Sequence, residues 1–273
     1  MSNKEQKLIA FNWKENPATG RAAVKLFRDL LRVTAAVPKD RRVVAFPPLL
    51  YLSELAQMLT AGHSAVMLGA QDVFWENEGA YTGEIGPAML RGLGKSMEFV
   101  IVGHSERRRF LGETDMMVNK KIQAALGSGF RVILCVGEPA EIRKQGMAAT
   151  QRYIKNQLKE DLKGIVLPLK NGIQRPDPGS RQGGKAQNVV VAYEPIWAIG
   201  TGRHCPPEEA LAMARFIKRE ATDASVLYGG SVDGDTAESY LCYDEIDGVL
   251  VGGASLRVRE IKKILTKSRK KHG

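Results

Sequence analysis

Eight short apolar runs recur along the 273-residue chain, and they restrict its fold more than any other feature. They occupy residues 8–13, 43–46, 66–69, 99–103, 132–136, 189–193, 226–229 and 249–252. None alternates apolar with polar residues as a strand wetted on one face would. Each therefore reads as a strand of parallel sheet covered on both sides. Helical patterns fill the intervals. Ala23, Leu26, Phe27, Leu30 and Leu31 recur at spacings of three and four, with Arg28 and Arg32 off that stripe. Leu211, Ala214 and Ile217 repeat the pattern after Pro206-Pro207-Glu208-Glu209, where an early proline and first-turn acids favour a helix start. Val258, Ile261, Ile264 and Leu265 make the last stripe. Eight strand-then-helix units predict an α/β protein built as a (β/α)8 barrel, one domain over residues 1–273. A doubly wound open sheet would show the same periodicity.

One interval is longer than the others. Residues 168–187 carry three prolines and four glycines with no periodicity, which predicts a surface insertion after the fifth helix. The formal charge of +10 would ordinarily suggest a nucleic-acid partner, so its location matters. Residues 257–273 hold eight Lys/Arg and one Glu, and residues 168–187 hold four Lys/Arg and one Asp. These segments contain the whole excess, so the body is neutral and the charge resides in the insertion and in the C-terminal stretch 257–273, which ends in a basic tail at about 267–273. No basic stripe crosses the fold, and no nucleic-acid partner is expected. No stretch approaches the ~20 apolar residues of a membrane span. Residues 1–7 run directly into Leu8-Ile9-Ala10 with no apolar leader. Cys135, Cys205 and Cys242 are odd in number and lack metal-site or CxxC spacing. The expectation is a cytoplasmic protein with reduced thiols, no membrane partner, no metal and no cofactor.

In such barrels the site lies at the C-terminal ends of the strands. The sixth strand ends in Tyr193-Glu194-Pro195, followed by Ile196, Trp197, Ala198, Ile199, Gly200, Thr201 and Gly202. A carboxylate beside an apolar, glycine-hinged loop supplies a base and a lid that can exclude water. The first strand ends Phe11-Asn12-Trp13-Lys14, and period two puts Asn12 and Lys14 on one face. An amide and an ammonium there suit an anionic, oxygen-rich substrate. The fourth strand ends Gly103-His104-Ser105-Glu106-Arg107-Arg108. A histidine at a helix start lies near backbone N–H groups that disfavour imidazolium, although a histidine there can also be purely structural. The last two strands end in Gly229-Gly230-Ser231 and Gly252-Gly253-Ala254-Ser255. Paired glycines let the backbone approach a ligand, and the following turns offer free N–H donors, a combination that forms a phosphate cradle.

These motifs resemble the triosephosphate isomerase family. The resemblance rests on Asn12-Trp13-Lys14, Gly69-Ala70-Gln71, the run from Gly103 to Arg108, Cys135-Val136-Gly137-Glu138, residues 193–202, Tyr228-Gly229-Gly230-Ser231-Val232 and residues 247–256. It covers nearly the whole chain apart from the insertion and the tail. It implies that Glu194 is the proton-transfer base and that His104 is the electrophile polarising the carbonyl. Lys14 and Asn12 would be the cation and amide beside the developing oxyanion. Gly200, Ser231, Gly252 and Gly253 would grip the phosphate together with Asn12 and Lys14, and residues 195–201 would close as the lid. Ser105, Glu106 and Cys135 would support these groups. This family is itself the standard example of a carboxylate base working with a neutral histidine under a closing loop, so that pattern is implied here by likeness.

The same resemblance implies a homodimer. Residues 71–83, with Gln71, Phe74, Trp75, Tyr81 and Thr82, are similar to the family's protruding third loop, which reaches toward the partner's Asn12 and Lys14. Phe74, Trp75 and Tyr81 would otherwise fold back onto their own subunit. Phe11 replaces a smaller residue and is expected to face the helices. Arg203-His204-Cys205 departs from the family's usual lid continuation, so the lid's C-terminal hinge is open to question. The expected reaction interconverts dihydroxyacetone phosphate and D-glyceraldehyde 3-phosphate. An isomerase of a related tetrulose phosphate, or a barrel that binds through its basic tail, remain as alternatives.

Overall fold

Residues that are apolar on both faces can be buried on both faces only if the sheet closes or is sandwiched, and here it closes. The structure, a computed structural model, describes residues 6–35, 37, 40–60, 66–165, 189–199, 204–221 and 224–266. The predicted insertion at 168–187, the basic tail at 267–273 and lid residues Gly200 and Thr201 lie outside the described residues. The strands are β1 (Lys7–Asn12), β2 (Arg41–Phe46), β3 (Val66–Ala70), β4 (Met97–Val102), β5 (Arg131–Val136), β6 (Val189–Tyr193), β7 (Ser225–Tyr228) and β8 (Gly248–Val251). They pair in parallel and in sequence order, and β8 returns to β1 through Leu8↔Gly248 to Phe11↔Val251. The sheet is a closed barrel.

The helices are α1 (Gly20–Thr34), α2 (Leu49–Thr60), α3 (Pro87–Arg91), α4 (Ser105–Leu111), α5 (Asp115–Gly127), α6 (Ala140–Arg143), α7 (Met147–Asp161), α8 (Pro207–Glu220), α9 (Ala237–Leu241) and α10 (Val258–Thr266). Thr19 caps α1 by accepting the Ala22 N–H, and the helix buries Ala23, Leu26, Phe27 and Leu30 of its predicted stripe, while Leu31 is only half-buried. Each large apolar side chain buried this way contributes about 1.5–3 kcal/mol. Helix α8 starts at the predicted proline and buries Ala210, Met213, Ala214, Phe216 and Ile217, while Leu211 is only half-buried.

Strand alternation divides the apolar residues into two cores. Leu8, Ala10, Phe46, Ile101, Ile133, Val190, Ala192, Leu227 and Leu250 pack with Cys135 as the barrel filling. Phe11, Trp13, Val132, Val191 and Tyr193 belong to the larger core between strands and helices. Phe11 faces the helices, as expected, and Trp13 meets Phe27 edge-on at 6.4 Å between ring centroids. The same parity aims the strand ends. Asn12 follows Ala10 and Glu194 follows Ala192 on the inner wall, so both arrive at the C-terminal mouth of the barrel.

Candidate active site

Glu194 stands one residue beyond β6, and its backbone is pinned to β5: its N–H donates to the Val136 carbonyl at 2.7 Å. Beside it, Gly137 approaches so closely that an added Cβ would lie 1.7 Å from the Glu194 carbonyl oxygen. The carboxylate is buried, with both oxygens engaged. Oε2 accepts the Ser105 N–H at 3.0 Å, and Oε1 lies 3.1 Å from His104 Nε2. Cys135 is buried below it, and burial, reinforced by the Glu194 charge, pushes its thiol well above the ordinary range. Cys135 is therefore a packing thiol here and not a nucleophile.

His104 is the N-cap of α4, and its Nδ1 accepts the Glu106 N–H at 3.2 Å. A ring nitrogen that accepts a hydrogen bond carries no proton, so the imidazole proton sits on Nε2 and points at Glu194. One helix start thus sets the tautomer of the histidine and supplies the N–H that holds the glutamate.

Lys14 has φ 55, a left-handed backbone that costs a non-glycine residue about 1–2 kcal/mol. Two contacts hold it there. Its N–H donates to Asn12 Oδ1 at 3.0 Å, and Gln71 Nε2 donates to the Lys14 carbonyl at 2.9 Å and to the Phe46 carbonyl at 2.8 Å. The Lys14 side chain passes over Gly252, where an added Cβ would meet its Cε at 3.2 Å, and its ammonium pairs with Glu106. Ser255 Oγ donates to the Asn12 carbonyl at 3.2 Å, tying β1 to the turn Gly253–Leu256. Nothing would crowd a Cβ on Gly253, so its backbone faces open space.

The first half of the expected lid leaves β6 as a 3-10 turn, Ile196–Ala198. Glu138 anchors it: Oε1 accepts Trp197 Nε1–H at 2.8 Å and the Tyr193 hydroxyl at 3.1 Å, and the Glu138 carbonyl accepts the Ile196 N–H at 3.2 Å. Burial raises the Glu138 carboxyl above the usual carboxylate range, against the Trp197 and Tyr193 hydrogen bonds. Beyond the lid, Cys205 N–H donates to the Tyr228 hydroxyl at 3.3 Å, and the Tyr240 hydroxyl donates to the Cys205 carbonyl at 2.8 Å. The two phenol rings stack 3.9 Å apart. His204 Nδ1 lies 3.1 Å from the Ser231 carbonyl. Burial pushes the Cys205 thiol up to about 12. No group of three His, Cys, Asp or Glu is placed to hold a metal among the described residues.

A family model described as triosephosphate isomerase matches residues 7–268. The chain belongs to the triosephosphate isomerase family. Among curated relatives, the triosephosphate isomerase of Thermoanaerobacter pseudethanolicus is 39% identical over 267 residues, covering 94% of this chain and 98% of that protein. The one from Acidithiobacillus ferrooxidans is 41% identical over 265 residues, covering 94% of each chain. That of Synechococcus sp. (strain JA-3-3Ab) is 40% identical over 263 residues, covering 94% of this chain and 93% of its own.

The site residues expected from the triosephosphate isomerase resemblance divide in a simple way. Asn12, Lys14, His104, Ser105, Glu106, Cys135 and Glu194 form one connected cluster at the barrel mouth. Ser231, Gly252 and Gly253 stand at the mouth on the exits of β7 and β8. Gln71, in the loop expected to face a partner, holds the Lys14 backbone of its own chain. Phe74 is buried within the chain against Trp75 and Tyr81, at centroid distances of 4.1 and 4.8 Å, while Tyr81 stays 44% exposed and Thr82 is exposed. The sequence alone gives no role to Glu138, Tyr228 or Tyr240. The available signal is a tyrosine ending a buried strand, since a buried phenol needs a polar partner.

Proposed function

We propose that this chain carries out the triosephosphate isomerase reaction with Glu194 as base and His104 as hydrogen-bond donor to the carbonyl. The reaction interconverts dihydroxyacetone phosphate and D-glyceraldehyde 3-phosphate, which have the same composition, so only protons move. Glu194 takes a proton from the carbon beside the carbonyl while His104 Nε2–H donates to the carbonyl oxygen, giving an enediol(ate). His104 moves the hydroxyl proton from one enediolate oxygen to the other. Returning the abstracted proton to the neighbouring carbon then completes the isomerisation, so side chains handle both transfers without a cofactor. The observation that carries the reading is the 3.1 Å approach of His104 Nε2 to Glu194, with Nδ1 held proton-free by the Glu106 N–H. Because both Glu194 oxygens are engaged, the carboxylate must release one of them to reach substrate.

Lys14 and Asn12 supply the cation and amide beside the developing oxyanion, and Ser231, Gly252, Gly253 and Gly200 take the phosphate. Lid residues 195–201 close over the enediolate, whose phosphate would otherwise be lost to water. A charged sugar phosphate does not cross a bilayer unaided, so a cytoplasmic enzyme is the fitting location. A homodimer is supported by an uncovered apolar surface: Phe110 and Leu111 at the end of α4 and Met116 at the start of α5 are 68, 64 and 66% exposed.

A coupled assay on triose and tetrulose phosphates tests the substrate, and a kcat/KM ratio favouring the tetrulose would reject the triose reading. Glu194→Gln tests the mechanism: loss of a general base lowers kcat by ~10²–10⁴-fold, and a near-normal rate would sink it.

A further inference from the structure

The contacts of the His104 ring account for its rotation and tautomer, while a separate set of contacts fixes the backbone that carries it. Gly103 precedes His104 with φ +73, the left-handed conformation that turns the chain from β4 into α4. A Cβ at Gly103 would lie 2.9 Å from Arg108 Nη2 and 3.2 Å from Val118 Cγ2, so this backbone is packed against the Arg108 guanidinium. Arg108 Nε also donates to the Gly103 carbonyl at 2.8 Å. The guanidinium is fixed from its other side by two carboxylates. Nη2 donates to Asp161 Oδ2 at 2.6 Å, and Nη1 donates to Asp115. Asp161 ends α7 with a fully buried side chain, and the Arg108 side chain is 14% exposed.

A buried ion pair of this kind is poor evidence for stability, because desolvation offsets much of its attraction. What it does supply is geometry. The guanidinium is a rigid planar fork, and here its edges contact a carbonyl on β4's exit, a carboxylate on α5 and a carboxylate on α7. The Gly103–His104 peptide cannot rotate without breaking the first of these contacts. That rotation would carry the His104 side chain with it. It would also swing the Ser105 N–H, which holds Glu194 Oε2 at 3.0 Å.

We propose that Arg108 and Asp161 are positioning residues for the isomerisation, fixing the Gly103 carbonyl and through it the aim of His104 Nε2 and the Ser105 N–H at Glu194. The inference rests on the reading of His104 as the group that polarises the substrate carbonyl. Neither residue touches substrate in this scheme. A displacement of ~1 Å at a reacting group can cost ~10²-fold in rate, which sets the scale of the effect.

The test uses the full chain with Asp161→Asn, which keeps the side-chain shape, and Arg108→Lys, which keeps the charge but cannot reach all three partners. Each variant is checked for folding by circular dichroism, and Arg108→Lys carries the test if Asp161→Asn does not fold. The expected result is a kcat lowered by roughly 10–10²-fold, with KM and inhibition by inorganic phosphate within about twofold of the parent. The imidazole Nε2–H signal of His104 should move in the nitrogen–proton correlation spectrum. A purely structural role would lower the folded fraction and leave that signal in place. Unchanged kcat, or a loss with the His104 signal unmoved, overturns the proposal.

Repeating Asp161→Asn in a His104→Gln background separates this inference from the reading beneath it. Coupled residues give a second loss of less than about twofold in that background. If His104→Gln alone keeps the parental kcat, the reading of His104 fails. If it loses activity but Asp161→Asn still lowers kcat by its full factor, only the positioning role is overturned.

Discussion

Gly137→Ala would press on the Glu194 main chain and on little else. Gly137 has no unusual backbone requirement, so alanine is tolerated there in every respect except space. The space is missing: its Cβ would lie 1.7 Å from the Glu194 carbonyl oxygen and 2.6 Å from the carbonyl carbon. Cβ atoms are essentially never found within 3.0 Å of such neighbours, so the exits of β5 and β6 must part by roughly 1.3 Å. The Glu194 N–H bond to the Val136 carbonyl, at 2.7 Å, resists that movement. A shift of this size at the proposed base should cost ~10²-fold in kcat, or ~2.7 kcal/mol of barrier. Overpacking should also cost about 1–3 kcal/mol of stability, a fall of about 2–6 °C in Tm for a chain of this length. KM should change less than kcat, since the proposed phosphate contacts Ser231, Gly252 and Gly253 sit at the ends of β7 and β8, away from the strained pair. Gly127→Ala is the control, because a Cβ at this exposed end of α5 meets nothing within 4 Å. Steady-state kinetics, a thermal melt and a crystal structure of the variant give the answer. A parental kcat, or a Glu194 carbonyl that has not moved, would refute the reasoning.

Glu138→Gln tests the buried lid anchor through pH. Burial raises the Glu138 carboxyl, so the native protein holds this proton more tightly than the unfolded chain. Its contribution to stability is full below the ordinary carboxylate range and is lost as pH rises through the raised value, at up to about 1.4 kcal/mol per pH unit. Glutamine still accepts from Trp197 and Tyr193, and urea melts should show a flatter decline of stability with rising pH; an unchanged slope counts against the assignment. Sedimentation equilibrium tests the dimer: the mass should be twice the 30.0 kDa of the chain, and Tyr81→Asp should shift it toward monomer. A parent protein that sediments at 30.0 kDa would remove the proposal.

The strands were legible because both of their faces are apolar. The predicted 189–193 run coincides with β6, and the others differ from the observed strands by one or two residues at one or both ends. At the starts of β1 and β2 the difference arises because a polar residue, Lys7 or Arg41, still pairs in the ladder while its side chain bonds to backbone carbonyls. In α8 the predicted stripe included Leu211, but Met213 and Phe216 fill the groove against the barrel and leave Leu211 half out. Side chains at strand exits were legible through parity, which delivers Asn12 and Glu194 to one mouth. Gln71 was not, because its partner carbonyls belong to Lys14 and Phe46 on other units. The same holds for Glu138 and Trp197, 59 residues apart in sequence and brought together by the pairing of β5 with β6.

The anchoring of the proposed lid's first half bears on any exchange of that loop between proteins. Trp197 and Tyr193 both direct their hydrogen-bond donors to one oxygen of a carboxylate that lies outside the loop. A transplanted loop without the tryptophan would leave Glu138 with one donor fewer in a dry pocket, and the cost would fall on the acceptor scaffold. The transferable module is therefore discontinuous. It comprises the strand-end tyrosine, the loop through its tryptophan, and a glutamate from the preceding unit, and grafts that carry all three should keep a working hinge where contiguous grafts do not.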